Sequence, residues 1–331
     1  MKRFNIYGFA LILLGVLSIA GCGGRAATGM PAIPSAKARV GPEVGKVWIF
    51  ISDPGTSDVY IYELPTLKLI EIVTGFTQPQ GECADNKGNV WVTDGSGKVI
   101  YKLMHSGKII GKLNDTYGVP ESCAWDPKTG NLAVLNLIGN DSQSGAVLVY
   151  HHATGVPNVY TNSKQYNYNF GGFDSSGNLF FDGRTVQNKF VLSELPVNAS
   201  QAKTIAVSGG RIYTPGMVQW DATTSQLVVG DQNCNNAPYS CIYQLAIAKN
   251  SGAIAKQVQL ENASGEPVCD LIQGVLWQKS VIGSDFDSCG SQASATYVWR
   301  YPAGGQPTAQ NGRDDSEPFG AAVSSTTGGN R

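Results

Sequence analysis

Residues 81–94 read GECADNKGNVWVTD and residues 122–136 read SCAWDPKTGNLAVLN. Both follow one layout: a short apolar strand, an Asp, a turn closing on Gly-Asn, and a second strand ending on Asp or Asn. Degenerate copies run along the chain. The strands after the turn begin at Ile49, Val90, Leu132, Leu179, Leu227 and Val281, spaced by 41, 42, 47, 48 and 54 residues. A third, alternating or aromatic strand follows each, from Val59, Val99, Ala146, Lys189, Cys241 and Thr296. KLIEIVTG (Lys68 to Gly75) and GKIIGKL (Gly107 to Leu113) show a weaker fourth.

Four short strands recurring at such a period predict the blades of a β-propeller. A single blade would expose both faces, whereas six set radially bury them on one another. The expected fold is therefore all-β, a six-bladed β-propeller of four-stranded blades. Nothing ahead of Lys46 resembles an innermost strand, yet PFGAAVSSTTGGN (Pro318 to Asn330) copies the layout of SCAWDPKTGN. The C-terminal strand is expected to complete the first blade, a closure that removes open sheet edges.

The N-terminus carries a different signal. Lys2 and Arg3 precede a mostly apolar stretch from Ile6 to Ile19, too short for a comfortable membrane span. It ends in IAGC, Ile19 to Cys22, which resembles the lipobox of bacterial lipoproteins. That resemblance implies a signal peptide over 1–21, acylation of Cys22, and attachment to the cell envelope through lipid rather than a helix. Residues 22–43 are rich in Gly, Ala, Ser and Pro and are expected to form a flexible tether. The propeller is expected over 44–325, with a disordered tail at 326–331.

Without the leader the chain has 22 basic against 25 acidic residues, a net charge of −3, and no basic run. Nucleic-acid binding is not expected. The 40 glycines and a charged fraction of only 15% suit an exported protein with many turns. Six cysteines follow Cys22, an even number that favours disulfides outside the cytoplasm. In the repeat frame, Cys234 and Cys241 bracket one loop of blade five. Cys269 and Cys289 flank the inner strands of blade six, and Cys83 and Cys123 take near-equivalent positions in neighbouring blades. The expected pairs are Cys234–Cys241, Cys269–Cys289 and Cys83–Cys123.

A propeller gathers equivalent residues around its axis. Those opening the inner strands are Gln80, Glu121, Asn169, Gly216, Gln273 and Phe319. The second strands end on Asp53, Asp94, Asn136, Gly183 (after Asp182), Asp231 and Asp285. From these, Gln80, Glu121, Asn169, Gln273, Asp94, Asp231 and Asp285 are expected to line a polar, mildly acidic axial mouth. An Asp at a strand end also commonly accepts turn N–H groups, the alternative reading of that ring. YNYNFGG (Tyr166 to Gly172) is read as a loop toward the axis, either simply ordered or suited to stacking on a sugar or peptide. Trp125, Trp220 and Trp277 recur just before the inner-strand Asp or Gln and are expected to fill the interblade core.

The unit P-x-G-x-x-x-D-x-x-G-N-V-W-V-T-D, Pro79 to Asp94, resembles the NHL and gluconolactonase-like group of six-bladed propellers. In gluconolactonase-like enzymes Glu, Asn, Asn and Asp side chains hold a divalent cation at the axis, which implies Ca²⁺ or Mg²⁺ chemistry on a lactone. Only Glu121 and Asn169 match that set; Gly216 and Phe319 depart from it. Streptogramin lyase-like propellers need a histidine base at the mouth, but His105, His151 and His152 all fall at or after the third strands and are read as surface turn residues. No G-x-S-x-G, P-loop, CxxC or HExxH occurs. The sequence therefore points to a monomeric, non-catalytic module without a cofactor, binding a small molecule, glycan or envelope protein. A Ca²⁺-dependent hydrolase or lyase is the alternative.

Overall fold

The computed structural model describes residues 45–286, 294–311 and 316–326. The leader, Cys22, the tether, Cys289 and the residues after Thr326 lie outside them.

The recurring Asp…Gly-Asn is the turn that joins inner to second strands. Asp85 Oδ1 accepts the N–H groups of Lys87 at 2.8 Å and Asn89 at 2.9 Å, while Asn89 Nδ2 donates to Asp85 Oδ2 at 2.8 Å. Asp174 and Asn178 repeat all three contacts in blade four. Between them Gly88 takes φ +77° and Gly177 φ +94°, which glycine adopts without steric cost.

From these turns grow β1(Val47–Asp53), β2(Asp58–Glu63) and β3(Lys68–Val73) of blade one. Blade two holds β4(Pro79–Ala84), β5(Val90–Asp94), β6(Val99–Leu103) and β7(Ile109–Asn114). Blade three holds β8(Gly118–Trp125), β9(Leu132–Gly139), β10(Ser144–Tyr150) and β11(Asn158–Tyr160). Blade four holds β12(Asn167–Phe173), β13(Leu179–Arg184), β14(Phe190–Leu195) and β15(Lys203–Ser208). Blade five holds β16(Val218–Asp221), β17(Gln226–Asp231), β18(Cys241–Ala248) and β19(Ser251–Gln259). Blade six holds β20(Val275–Trp277), β21(Ser280–Asp285), β22(Ala295–Arg300) and β23(Ala309–Gln310).

The last strand, β24(Gly320–Ser325), pairs antiparallel with β1, matching Ile49 to Val323, Phe50 to Ala322 and Ile51 to Ala321. The ring thus closes as expected. Hydrogen bonding departs from six separate sheets in one place. The outer strands β15 and β19 pair in parallel through Ala206–Ser251 and Val207–Gly252, so blades four and five form one eight-stranded sheet.

Alternation of apolar residues on both faces of each blade creates the core. Six buried apolar clusters occur among the described residues, one between each pair of neighbouring blades. Between blades one and two, Trp48, Phe50 and Ile61 meet Val90, Val92 and Leu103. Between six and one, Ile282 and Val298 meet Ile49 and Tyr62. Trp125, Trp220 and Trp277 pack against these clusters, Trp220 stacking on Phe180 at 6.2 Å.

His105 is more than a surface turn residue. It stacks on Trp48 at 4.1 Å, and its Nδ1 lies 2.8 Å from Ser324 Oγ, so a blade-two turn holds the closing strand. His151 and His152 are exposed in a short turn after β10.

Two disulfides form as expected. Cys83–Cys123 joins the inner strands of blades two and three, and Cys234–Cys241 staples the loop between β17 and β18. Cys269 is also disulfide-bonded, but its expected partner Cys289 lies outside the described residues.

Candidate functional site

The inner strands of blades two, three and four share an irregularity. The pairing of β4 with β5 shifts between Pro79 and Glu82, that of β8 with β9 around Pro120, and that of β12 with β13 between Tyr168 and Gly171. Gln80, Glu121 and Asn169 therefore each sit in a bulge, a device that bends a strand and re-aims its side chains. Glycine makes the close approach possible. A Cβ on Gly81 would lie 2.6 Å from Ser122 Cα, so only a bare backbone fits there.

Two hydroxyls one residue before strand-end acids, and one beside Glu121, stitch neighbouring blades together. Ser52 Oγ donates to the Gln80 carbonyl, Thr93 Oγ1 lies 3.1 Å from the Glu121 carbonyl, and Ser122 Oγ donates to the Asn169 carbonyl at 2.5 Å. The strand-end acids themselves clamp the segments that lead into the inner strands. Asp94 accepts from Thr77 and Gln78 at 2.7 and 2.9 Å, Asp231 from Tyr213 and Thr214 at 2.9 Å each, and Asp285 from Cys269 at 3.3 Å. Asp53 does the same with Ser316 and Glu317. In blade three, where Asn136 replaces the acid, Asp115 of the incoming segment caps Tyr117 and Gly118 and takes the Asn136 amide at 2.9 Å. These contacts give Asp94, Asp231 and Asp285 a turn-capping task in every case.

The ring of inner-strand residues is largely buried. Gln80, Glu121 and Gln273 are 8%, 6% and 6% exposed, and Asn169 is half-buried. Gln273 crosses from blade six to blade two, accepting the Glu82 N–H at 2.8 Å and donating to the Glu82 carbonyl at 2.9 Å. Phe319 of blade one lies 6.2 Å from Phe170 in the opposite blade and 6.5 Å edge-on from Phe286. Side chains therefore occupy this part of the axis.

Among the described residues of the inner strands, four present buried oxygens that lack a hydrogen-bond partner: Gln80 Oε1, both oxygens of Glu82, Glu121 Oε2 and Asn169 Oδ1. All are acceptors. Burial pushes the Glu82 carboxyl well above the carboxylate range. Burial also raises Glu121 to about 7, opposed by its hydrogen bond with the Asn169 side chain. Asp182 is likewise raised by burial, with Glu121 nearby adding to the shift. The axis thus concentrates carboxyl groups that favour the neutral form.

Sequence reasoning missed Glu82. The signal was Gly81, since glycine inside a strand marks a bulge or close backbone approach. YNYNFGG is not a loop: Asn167–Phe173 is β12, Tyr168 is fully buried and stacked on Phe181 at 5.6 Å, and Tyr166 donates to the Ser142 carbonyl at 2.6 Å. Its tyrosines are committed to the fold, and the ring that reaches across the axis is that of Phe170, toward Phe319.

A divalent centre of the gluconolactonase kind fits these residues only in part. Glu121 and Asn169 offer free oxygens, but Gly216 and Phe319 offer none. Among the described residues no group of three or more His, Cys, Asp and Glu side chains is arranged to hold a metal.

No family model and no curated protein matches the sequence. Similar solved structures are numerous. A chain of a nidogen/laminin complex matches with TM-score 0.65 and 13% identity, covering 85% of this chain and 99% of the other. A protein of unknown function from Bacteroides caccae matches with TM-score 0.63 and 12% identity, covering 84% and 99%. A chain of Kuenenia stuttgartiensis hydrazine synthase matches with TM-score 0.54 and 11% identity, covering 76% and 72%. At these identities the likeness speaks for architecture alone, and with the closed ring of four-stranded sheets it makes the chain a β-propeller.

Proposed function

We propose that the protein is an exported β-propeller, anchored in the cell envelope through acylated Cys22, that binds a hydrogen-bond-donating ligand at its axial face without transforming it. The observation that carries this reading is the set of unmatched oxygens on Gln80, Glu82, Glu121 and Asn169, two amide acceptors beside two carboxyls. Buried acceptors without partners cost about 1–3 kcal/mol each, so a ligand or ordered water that supplies donors is favoured there. A glycan, a small polyol or a donor-rich loop of an envelope protein has that chemistry. Disulfides suit an oxidising compartment and support export. The repeat rhythm supports placement in the NHL and gluconolactonase-like group, and one structure of similar fold is an assembly between two proteins, nidogen and laminin.

One observation favours hydrolase or lyase chemistry instead: Glu121, at about 7, is poised for proton transfer near neutrality. Calorimetric titration separates the readings. Binding of a neutral glycan, weakened by Glu82→Ala and indifferent to Ca²⁺, supports the binding module. Sub-millimolar Ca²⁺ binding abolished by Glu121→Ala, with lactone hydrolysis, would replace it. For the anchor, radiolabelled palmitate should be incorporated by the wild type and not by Cys22→Ser.

A further inference from the structure

Away from the axis, a cavity of about 310 Å³ opens on the outer flank of blade five, and Arg211, Asn235, Tyr243, Lys256, Gln257 and Gly210 help line it. Three segments meet there: the crossover from β15 to β16, the loop from β17 to β18, and the outer strand β19. We propose that this cavity binds an acidic saccharide, a single sugar ring bearing a carboxylate or phosphate.

The charge of the walls points to an anion. The lining includes two cations and two primary amides, and none of its described residues is acidic. That is unusual placement in a chain whose acidic residues outnumber its basic ones. Arg211 forms no ion pair among the described residues; its guanidinium lies over the Tyr213 ring at 4.6 Å. A guanidinium has the planar fork that grips a carboxylate or phosphate with two parallel N–H bonds. Lys256 is held nearby by donating to the Pro302 carbonyl at 2.8 Å, leaving further N–H donors on its ammonium.

Each wall is fixed independently of any ligand. Both Asp231 oxygens hold the crossover, through the N–H groups of Tyr213 and Thr214. The Cys234–Cys241 disulfide closes the second loop, in which Asn235 takes a left-handed φ of +56°. Strand β19 is paired with β18 along its length and with β15 at Ser251, Gly252 and Ala253. A preformed site spends little binding energy on ordering itself. Its volume lies at the small end of ligand pockets, which suits one ring rather than a chain. The Asn235 amide both donates and accepts, as sugar hydroxyls require, and Gln257, whose Nε2 donates to Cys234 Sγ at 3.2 Å, keeps its oxygen and a second N–H.

The full-length protein should be titrated with glucuronate, glucose 6-phosphate, glucose and inorganic phosphate. The two acidic sugars are expected to bind about tenfold or more tightly than glucose, as a charge-assisted bidentate contact implies. Arg211→Ala should remove that preference and Arg211→Lys restore only part of it. Because Arg211 is exposed, both variants should melt like the wild type. Equal affinity for glucose and glucuronate would overturn the proposal. So would undiminished binding in Arg211→Ala, or inorganic phosphate matching the acidic sugars. A preference for one acidic sugar over the other identifies the oxyanion and supports the site.

Discussion

The Gln273 side chain grips both backbone groups of Glu82, its oxygen 2.8 Å from the N–H and its nitrogen 2.9 Å from the carbonyl. The two residues lie 191 positions apart and belong to blades separated by the closing blade. One amide therefore substitutes for a strand partner at the centre of the ring. Gln273→Ala strands a buried N–H and C=O together, and an unfolding cost of roughly 2–4 kcal/mol is expected. Urea denaturation checks it; a change below ~0.5 kcal/mol would show that water replaces the amide.

Acid–base linkage should be visible in the wild type. Glu121 keeps its proton to about pH 7 in the folded chain but releases it near 4.5 when unfolded. The folded state then binds more protons between those values, so stability falls as pH rises through that window. A shift of this size corresponds to about 3 kcal/mol. Glu121→Gln should flatten the dependence and raise the melting temperature at pH 8. Melting curves from pH 4.5 to 8 test this, and an unchanged slope in the variant would assign the effect to other groups.

Cys83–Cys123 crosses between blades over a separation of 40 residues. Removing it as the double variant Cys83→Ser, Cys123→Ser should cost about 2–4 kcal/mol. Cys234–Cys241 closes a loop of separation 7, and its loss should cost less while loosening the Asn235 loop. Calorimetry of the two double variants compares them directly.

Gly81 admits no side chain without displacing Ser122, whose Cα would lie 2.6 Å from the new Cβ. Gly81→Ala is expected to destabilise by about 1–3 kcal/mol through overpacking. It should also perturb the Ser122 to Asn169 bond, and with it any ligand affinity at the axis. Denaturation and titration of the same sample separate the two effects.

The architecture was legible because its signal is local and repeated. An Asp that caps a turn, and a Gly-Asn that completes it, mark where the inner strand reverses, as at Asp85–Asn89 and Asp174–Asn178. The closing strand was legible because the first blade lacks its inner member in sequence. The axial site was harder to read. Bulges at Gln80, Glu121 and Asn169 break the two-residue alternation that assigns a side chain to a face, and Glu82 was overlooked for that reason. The parallel union of β15 with β19 was invisible as well, since it depends on how two outer edges tilt in space rather than on any pattern within either strand.

The first strand lies between β24 and β2, aligned over six residue pairs on each side. A pull on the chain ahead of Val47 therefore runs along β1 and loads both ladders in shear, where their bonds resist together instead of peeling singly. A body hung by its leading end would be gripped at a strand held on both sides, and drag on it would be shared by the first and last segments of the ring.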